Sequence, residues 1–367
     1  MKNWFSSFRY FDLYIFGGSV LLLALGLLMI YSTTLGSPTN LLGRQLVFAL
    51  AGLLAMFAMA FFDYRKFKGA TAFLYVAIVA SLVLVWFLGS SIQGSTRWID
   101  LGFFRLQPSE FAKLAMVIIM AKFLDQAGEK IKSFQYVFLS GVYVGIPAAL
   151  VLIQPDLGTA LVLFLTWLGM LMVSKINKRH IAVLLVGGLV LSVFSWFYVL
   201  RDYQKNRIYT FVDPASDPQG RGYNVIQSII AVGSGSLTGR GVGRGLQSQL
   251  KFLPERQTDF IFASTAEELG LLGSLFILSM FGIIFTRLIR AARLARDNFG
   301  MYLALGVFFM LLSQMVINIG MNMGLVPATG IPLPLLSYGG SSLLTTMLSL
   351  GLVQSVVARQ RAVKFGD

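Results

Sequence analysis

The sequence contains no cysteine. Disulfides, thiolate nucleophiles and cysteine metal sites are therefore excluded. It has a single histidine, His180, which disfavours histidine-rich metal centres and histidine-based acid–base schemes. Charge is scarce as well: 13% of the 367 residues are charged and 56% are hydrophobic. A soluble protein of that length could not cover so much apolar surface, so the class is a polytopic membrane protein. Alternating short strands of the barrel type are missing, and long continuous apolar runs stand in their place. In lipid such runs satisfy their backbone groups only as helices. The expected fold is thus all-α, a membrane helix bundle forming a single integral membrane domain over residues 1–367. A cleavable signal pattern is also lacking: Asp12 interrupts the N-terminal stretch early, and no small-residue cleavage site follows the first apolar run.

What is present is a series of runs near the roughly 20 residues a span needs. They fall at about 13–34, 43–62, 71–89, 109–124, 137–154, 157–174, 180–200, 260–289, 301–321 and 336–358. The fourth carries Glu110 and Lys113 near its start. Positive charge arbitrates, because basic residues concentrate in cytoplasmic loops. With about ten transmembrane helices and both termini cytoplasmic, the inner segments hold Lys2 and Arg9, then Arg65, Lys66 and Lys68, then Lys122, Lys130 and Lys132. They also hold Lys175, Lys178 and Arg179, then Arg287, Arg290, Arg293 and Arg296, and finally Arg359, Arg361 and Lys364. The short outer loops hold only Arg44, Arg97 and Arg105. Dropping the fourth span would turn every later basic loop outward. The net charge of +14 is then a property of the inner face beside anionic lipid, and no nucleic-acid partner is implied. The localisation expected is the cytoplasmic (inner) membrane, with polar chemistry on the extracytoplasmic side.

One outer segment, 201–258, is long, lying between spans seven and eight. A structureless loop of that length would be unusual. Val225-Ile226-Gln227-Ser228-Ile229-Ile230 has a helical apolar stripe suited to the membrane interface. Gly233, Gly235, Gly239, Gly241, Gly243 and Gly245 follow, with Arg240 and Arg244 between them. No strand precedes them, which argues against a dinucleotide loop. An anion-binding loop and plain flexibility both stay open.

Polar groups also stand where they are expensive. Glu110 and Lys113, at i and i+3, share a helix face and can pair; a structural ion pair is the bland alternative. Arg97, Trp98, Asp100, Gln107, Pro108 and Ser109 precede them. Ser109 suits a cap for span four. Gln154-Pro155-Asp156-Leu157-Gly158-Thr159 joins spans five and six, and Asp156 there suits either a site or a helix cap. Glu267 and Glu268 lie about two turns into span eight, pointing in different directions, so at least one needs a cavity or partner. Ser337-Tyr338-Gly339-Gly340-Ser341-Ser342 opens span ten and reads also as a small-residue packing surface. Asp259 sits where the long polar segment passes into span eight. Its bland reading is an N-cap. Proximity to lipid raises its pKa, while Arg256 and a helix N-terminus lower it, so the sequence does not sign the shift. All these groups fall on the outer half of the bundle, which reads as a polar cavity open outward.

Several of these stretches resemble one family. They are Leu253-Pro254-Glu255-Arg256-Gln257-Thr258-Asp259-Phe260-Ile261-Phe262-Ala263 followed by Ala266-Glu267-Glu268-Leu269-Gly270, Arg97-Trp98, and Gln107-Pro108-Ser109-Glu110 with Lys113. Gln154-Pro155-Asp156-Leu157-Gly158, Gln227-Ser228 and Pro334-Leu335-Leu336-Ser337-Tyr338-Gly339-Gly340-Ser341 complete the set. Together they resemble the SEDS proteins (shape, elongation, division and sporulation), over nearly the whole chain. The compact ends and the 217–223 run look more like the rod-elongation member than the division member. The sequence departs from the family at Gln257, where histidine is usual. The resemblance implies a peptidoglycan glycosyltransferase that polymerises lipid II, usually with a class B penicillin-binding protein and other cell-elongation proteins as partners. Asp259 matches the family's essential aspartate.

That chemistry suits the residues. A lipid-linked donor carries its own leaving group, polyprenyl pyrophosphate, so no general acid is required, unlike a glycosidase. One base suffices to take the proton from the acceptor hydroxyl, and Asp259 is the candidate. Candidate cations for the pyrophosphates are Arg97, Lys113, Arg207, Arg240, Arg244 and Lys251, with a divalent ion (Mg or Mn) a further candidate. Glu110 would hold Lys113; Gln107, Asp156, Gln227, Ser228, Glu255 and Ser337 complete the expected substrate-binding set. A single displacement would invert the anomeric carbon. The alternative is a lipid II flippase, which would want polar groups along the whole path; the inner half is nearly uncharged between the outer cluster and the basic rim. A scaffold that activates its partner without chemistry is a second alternative.

Overall fold

The computed structural model describes residues 11–35, 40–92, 95–100, 102, 105–198, 202–214, 220–250 and 252–360. Lys2, Arg9, Lys251 and residues 217–219 of the 217–223 run lie outside the described residues. Ten long helices stand on the ten apolar runs. They are α1 (Leu13–Thr33), α2 (Leu41–Phe61), α3 (Lys66–Leu88), α4 (Pro108–Ala127), α5 (Phe134–Ile153), α6 (Leu157–Met172) and α7 (Lys178–Tyr198), then α11 (Ile261–Arg293), α12 (Asn298–Asn322) and α13 (Gly340–Ala358). Among the described residues, eight are long and apolar enough to cross a membrane. Of the other two, α6 is apolar but only 16 residues long, and α4 carries Glu110, Lys113, Lys122 and Asp125.

Local chemistry sets the helix ends. Asp12 caps α1 by accepting from the amides of Tyr14 and Ile15, Asn40 caps α2, Asp156 caps α6 and Asp297 caps α12. Pro108 opens α4 at the position where a missing amide costs nothing. The last run is shorter than expected. Residues 336–339 lie outside α13, because Ser337 is held in a turn: its hydroxyl accepts from the Leu333 amide at 2.8 Å and donates to the Thr258 carbonyl at 2.6 Å.

One feature departs from the all-helical expectation. A small antiparallel sheet of β1 (Ser90–Ile92), β2 (Ser95–Asp100) and β3 (Arg105–Leu106) joins α3 to α4. The long outer segment also folds, into α8 (Asp202–Val212), α9 (Arg221–Ser234) and α10 (Leu246–Gln249). Helix α9 packs on α11 rather than standing alone at the interface: Ala231 and Leu253 cluster with Phe260 and Ala263.

The glycine-rich segment is neither open nor loose. α11 breaks at Gly270 (φ 65°, ψ −158°), a left-handed conformation that favours glycine. The segment closes the break with its own backbone. The Glu267 and Glu268 carbonyls accept from the amides of Arg240 and Gly241 at 3.0 and 2.9 Å. The amides of Leu271 and Leu272 donate to the carbonyls of Ser236 and Leu237 at 2.9 and 3.2 Å. At Gly235 and Gly239 a Cβ would lie 1.8 Å from the Ala266 carbonyl oxygen and 2.1 Å from that of Glu268. These glycines let one backbone lie directly on another.

The inner end is tied by polar pairs. Arg287 meets Asp12 at 2.7 Å, and the Gln354 amide bonds both backbone groups of Asp12. Tyr64 donates to Asp297, whose other oxygen faces Arg65.

Candidate active site

Asp259 lies two residues before α11, and its backbone is clamped from three sides. Its carbonyl accepts from the side-chain amides of Asn318 (2.9 Å) and Asn322 (3.0 Å) on α12. The preceding carbonyls, of Gln257 and Thr258, accept from the Tyr338 amide and the Ser337 hydroxyl. Glu255, in a left-handed turn (φ 48°), receives the amides of Thr258 and Phe260 on its carbonyl. The Asp259 carboxylate lies near the segment joining α12 to α13: a Cβ on Gly330 would lie 3.4 Å from its Oδ2. It caps no helix. Phe260 occupies the cap position of α11, and no side-chain bond is made there among the described residues.

Burial pushes the Asp259 carboxyl up to about 7, and the charge of Glu255 adds to the rise. Arg207 on α8 and Arg97 on β2 act in the opposite sense, and Asp156 adds slightly to the rise. The desolvation penalty on the charged form outweighs both cations. These five groups form one electrostatic neighbourhood drawn from β2, the start of α6, α8 and the stretch before α11.

Arg97 and Asp156 are joined directly. Arg97 Nη1 is 3.8 Å from Asp156 Oδ1 and Nε donates to the Gln154 carbonyl at 3.0 Å. Its Nη2 donates to the Pro155 carbonyl. Asp156 both caps α6, accepting from the Thr159 amide at 3.1 Å, and gathers Gln107, Ser109 and the Thr159 hydroxyl. The cap reading and the site reading are thus one arrangement. Ser109 does not cap α4; Gln107 holds that position. The Gln107 amide donates to the Ser341 hydroxyl, which in turn donates to the Arg105 carbonyl.

Other residues of the expected set lie elsewhere. Lys113 is buried and donates to Glu110 at 2.8 Å and to Gln314 on α12 at 2.8 Å. Ser228 is buried and donates to the Asn322 carbonyl at 2.8 Å, while Gln227 is half-buried on α9. Arg240 and Arg244 expose their side chains on the glycine-rich segment, and neither figures among the charges acting on Asp259. Both glutamates of the pair are satisfied. Glu267 accepts from the amides of Gln247 and Ser248 and the Ser248 hydroxyl. Glu268 accepts from the Ser32 hydroxyl, the Gly243 amide and Gln249. No three His, Asp or Glu side chains converge as a metal site among the described residues.

Asn318, Asn322 and Gln314 were not singled out from the sequence. Three carboxamides in the apolar run of α12 were the available signal, since amides at membrane depth need partners.

A family model described as "Cell cycle protein", covering FtsW, RodA and SpoVE, matches residues 13–362. The peptidoglycan glycosyltransferase MrdB of Escherichia coli is 40% identical over 335 residues, covering 91% of this chain and 90% of that protein. A solved peptidoglycan synthase complex, described as coordinating polymerization and crosslinking, contains a chain 32% identical, with TM-score 0.81 over 95% of this chain and 97% of that one. The crystal structure of RodA from Thermus thermophilus is 30% identical, with TM-score 0.72 over 96% and 98% of the two chains. Matched across nearly its full length by family model, relatives and folds, the chain belongs to the FtsW/RodA/SpoVE (SEDS) family.

Proposed function

We propose that this chain is a peptidoglycan glycosyltransferase that polymerises lipid II at the outer face of the cytoplasmic membrane. The observation that carries the reading is Asp259: a carboxylate that caps no helix, is held by its backbone, and has its pKa brought near neutrality beside two guanidinium groups. A base works best with a pKa near the operating pH.

In the step proposed, Asp259 takes the proton from the acceptor sugar hydroxyl. That oxygen forms the new glycosidic bond to the donor's anomeric carbon. The bond from that carbon to the phosphate oxygen breaks, and polyprenyl pyrophosphate leaves with the electron pair. Arg97 and Arg207 would stabilise its charge. The proton passes from Asp259 to solvent. Gln257 stands where an imidazole is usual, so no second base acts there. A divalent ion, Mg or Mn, remains part of the proposal as a companion of the pyrophosphates, held mainly by substrate oxygens; no protein step depends on it.

The basic loops support a topology with the termini and the Arg287–Arg296 end on the cytoplasmic side and Asp259 facing outward. A class B penicillin-binding protein is the proposed partner, together with other cell-elongation proteins. The likeness to a chain from a complex that coordinates polymerization with crosslinking supports this. The test is polymerisation of lipid II by the purified chain, with and without the partner. Wild-type glycan synthesis that disappears in Asp259→Asn supports the reading. A normal rate in Asp259→Asn overturns the base, and no glycan under any condition favours transport.

A further inference from the structure

In a regular α-helix each carbonyl accepts from the amide four residues on. Extended backward to Asp259, α11 would bond the Asp259 carbonyl to the Ala263 amide. Asn322 takes both halves of that bond. Its Oδ1 accepts from the Ala263 amide at 3.0 Å and its Nδ2 donates to the Asp259 carbonyl at 3.0 Å. Asn318, one turn earlier on α12, gives the same carbonyl a second donor at 2.9 Å and bonds Ile331 at 2.7 Å. Both side chains are fully buried. The amide orientation follows from this pattern, since a flipped carboxamide would set oxygen against oxygen and nitrogen against nitrogen. The first backbone bond of α11 thus runs from Ser264 to Phe260, at 3.1 Å, and Phe260 is non-helical (φ −106°, ψ 23°).

We infer that Asn322, seconded by Asn318, is a positioning residue: by intercepting the helical bond between Asp259 and Ala263 it ends α11 short of Asp259 and turns that carboxylate into the polar cluster instead of over the helix end. The inference rests on Asp259 being the base. Its physical content is a competition. Without Asn322 the buried Ala263 amide has no partner, a costly state, and the Asp259 carbonyl keeps only Asn318. Their nearest remedy is each other. That bond lengthens α11 and places the Asp259 side chain where aspartate caps well, accepting from amides and stabilised as an anion by the helix dipole. In the present arrangement the charged groups acting on Asp259 are Glu255 from its own turn, Arg207 from α8, Arg97 from β2 and Asp156 from the start of α6.

The test is Asn322→Leu in the full-length chain, assayed on lipid II across pH beside wild type and Asp259→Asn. The leucine keeps the side chain's branched shape and number of heavy atoms and removes both bonds. We expect kcat to fall on the order of 10- to 100-fold, as misplacing a reacting group by about 1 Å does, with KM unchanged. The acid limb of the rate profile should move to lower pH, because a capping carboxylate ionises more readily. A variant with lower Tm but wild-type kcat and an unmoved limb overturns the inference, since a purely structural role would give that result. If Asn322→Leu does not fold, Asn322→Ser, too short to make either bond, carries the same expectations. An inactive Asp259→Asn beside a normal Asn322→Leu sinks the positioning role alone; an active Asp259→Asn sinks the base and the positioning role together.

Discussion

At the scale of the residue, Asp259 governs two measurements with opposite signs. Its carboxyl is raised from 3.8 to about 7, so the folded state binds the proton more tightly than the unfolded chain. The stabilising contribution is fully present below about pH 4 and lost as pH rises through about 7. Above that range the desolvated anion weakens the fold. Asp259→Asn should therefore abolish polymerisation yet show a higher Tm than wild type at pH 8, the gap closing toward pH 5; thermal unfolding in detergent at both pH values checks this. Glu255 raises the same carboxyl, so Glu255→Gln should shift the acid limb of kcat/KM downward, which a pH–rate profile reads directly. The importance of Asp259 was legible in the sequence from its place at a polar–apolar boundary. The sign of its pKa shift was not, because it depends on how completely protein surrounds the carboxyl and on Arg207, 52 positions earlier in the chain.

At the scale of the element, the joint between the glycine-rich segment and α11 is the part that sequence pattern conceals. Six glycines with two arginines fit an anion loop or a flexible one equally well. Their use appears only when the break at Gly270 is seen to need foreign donors and acceptors. Gly239→Ala should be severely destabilising, roughly 2 kcal/mol or more, because its φ of 78° disfavours a side chain and the Cβ would meet a carbonyl; Gly241→Ala, with nothing nearer than 3.5 Å, should cost less. Comparing the two midpoints of unfolding tests the contact separately from the backbone conformation. Glu267→Gln removes a carboxylate that holds the start of α10 through Gln247 and Ser248, and bonds to a charged acceptor contribute about 1.5–3 kcal/mol each. Loss of Tm with a preserved acid limb is the expected outcome. The sheet at 90–106 escaped notice for a different reason. The Ser95-Thr96-Arg97-Trp98-Ile99-Asp100 strand is short and polar, and helical runs dominate every window around it.

At the scale of the whole molecule, ten apolar runs became ten helices because length and hydropathy decide what lipid tolerates. Some ends moved, as at Ser337, whose hydroxyl bonds hold a turn before α13, and α11 broke at Gly270. Orientation rests on the basic rim, and the chain's lack of cysteine makes it testable. Single cysteines at Leu237, exposed on the glycine-rich segment, and at Leu294, exposed just past α11, should be labelled from opposite sides by a membrane-impermeant maleimide. Label on both from outside the cell would overturn the proposed topology. The site itself is a product of this scale. Arg97, Asp156, Arg207 and Asp259 belong to four separate stretches of chain, and only the closed bundle brings their charges to bear on one another.

The broken helix also makes a natural gauge. The amides of Leu271 and Leu272 stand ten residues inside a long apolar helix, where hydrogen–deuterium exchange is normally negligible. Because they donate to Ser236 and Leu237 rather than to their own helix, their exchange reports whether the outer segment is docked. Two isotope signals deep in α11 would thus register any lifting of that surface segment.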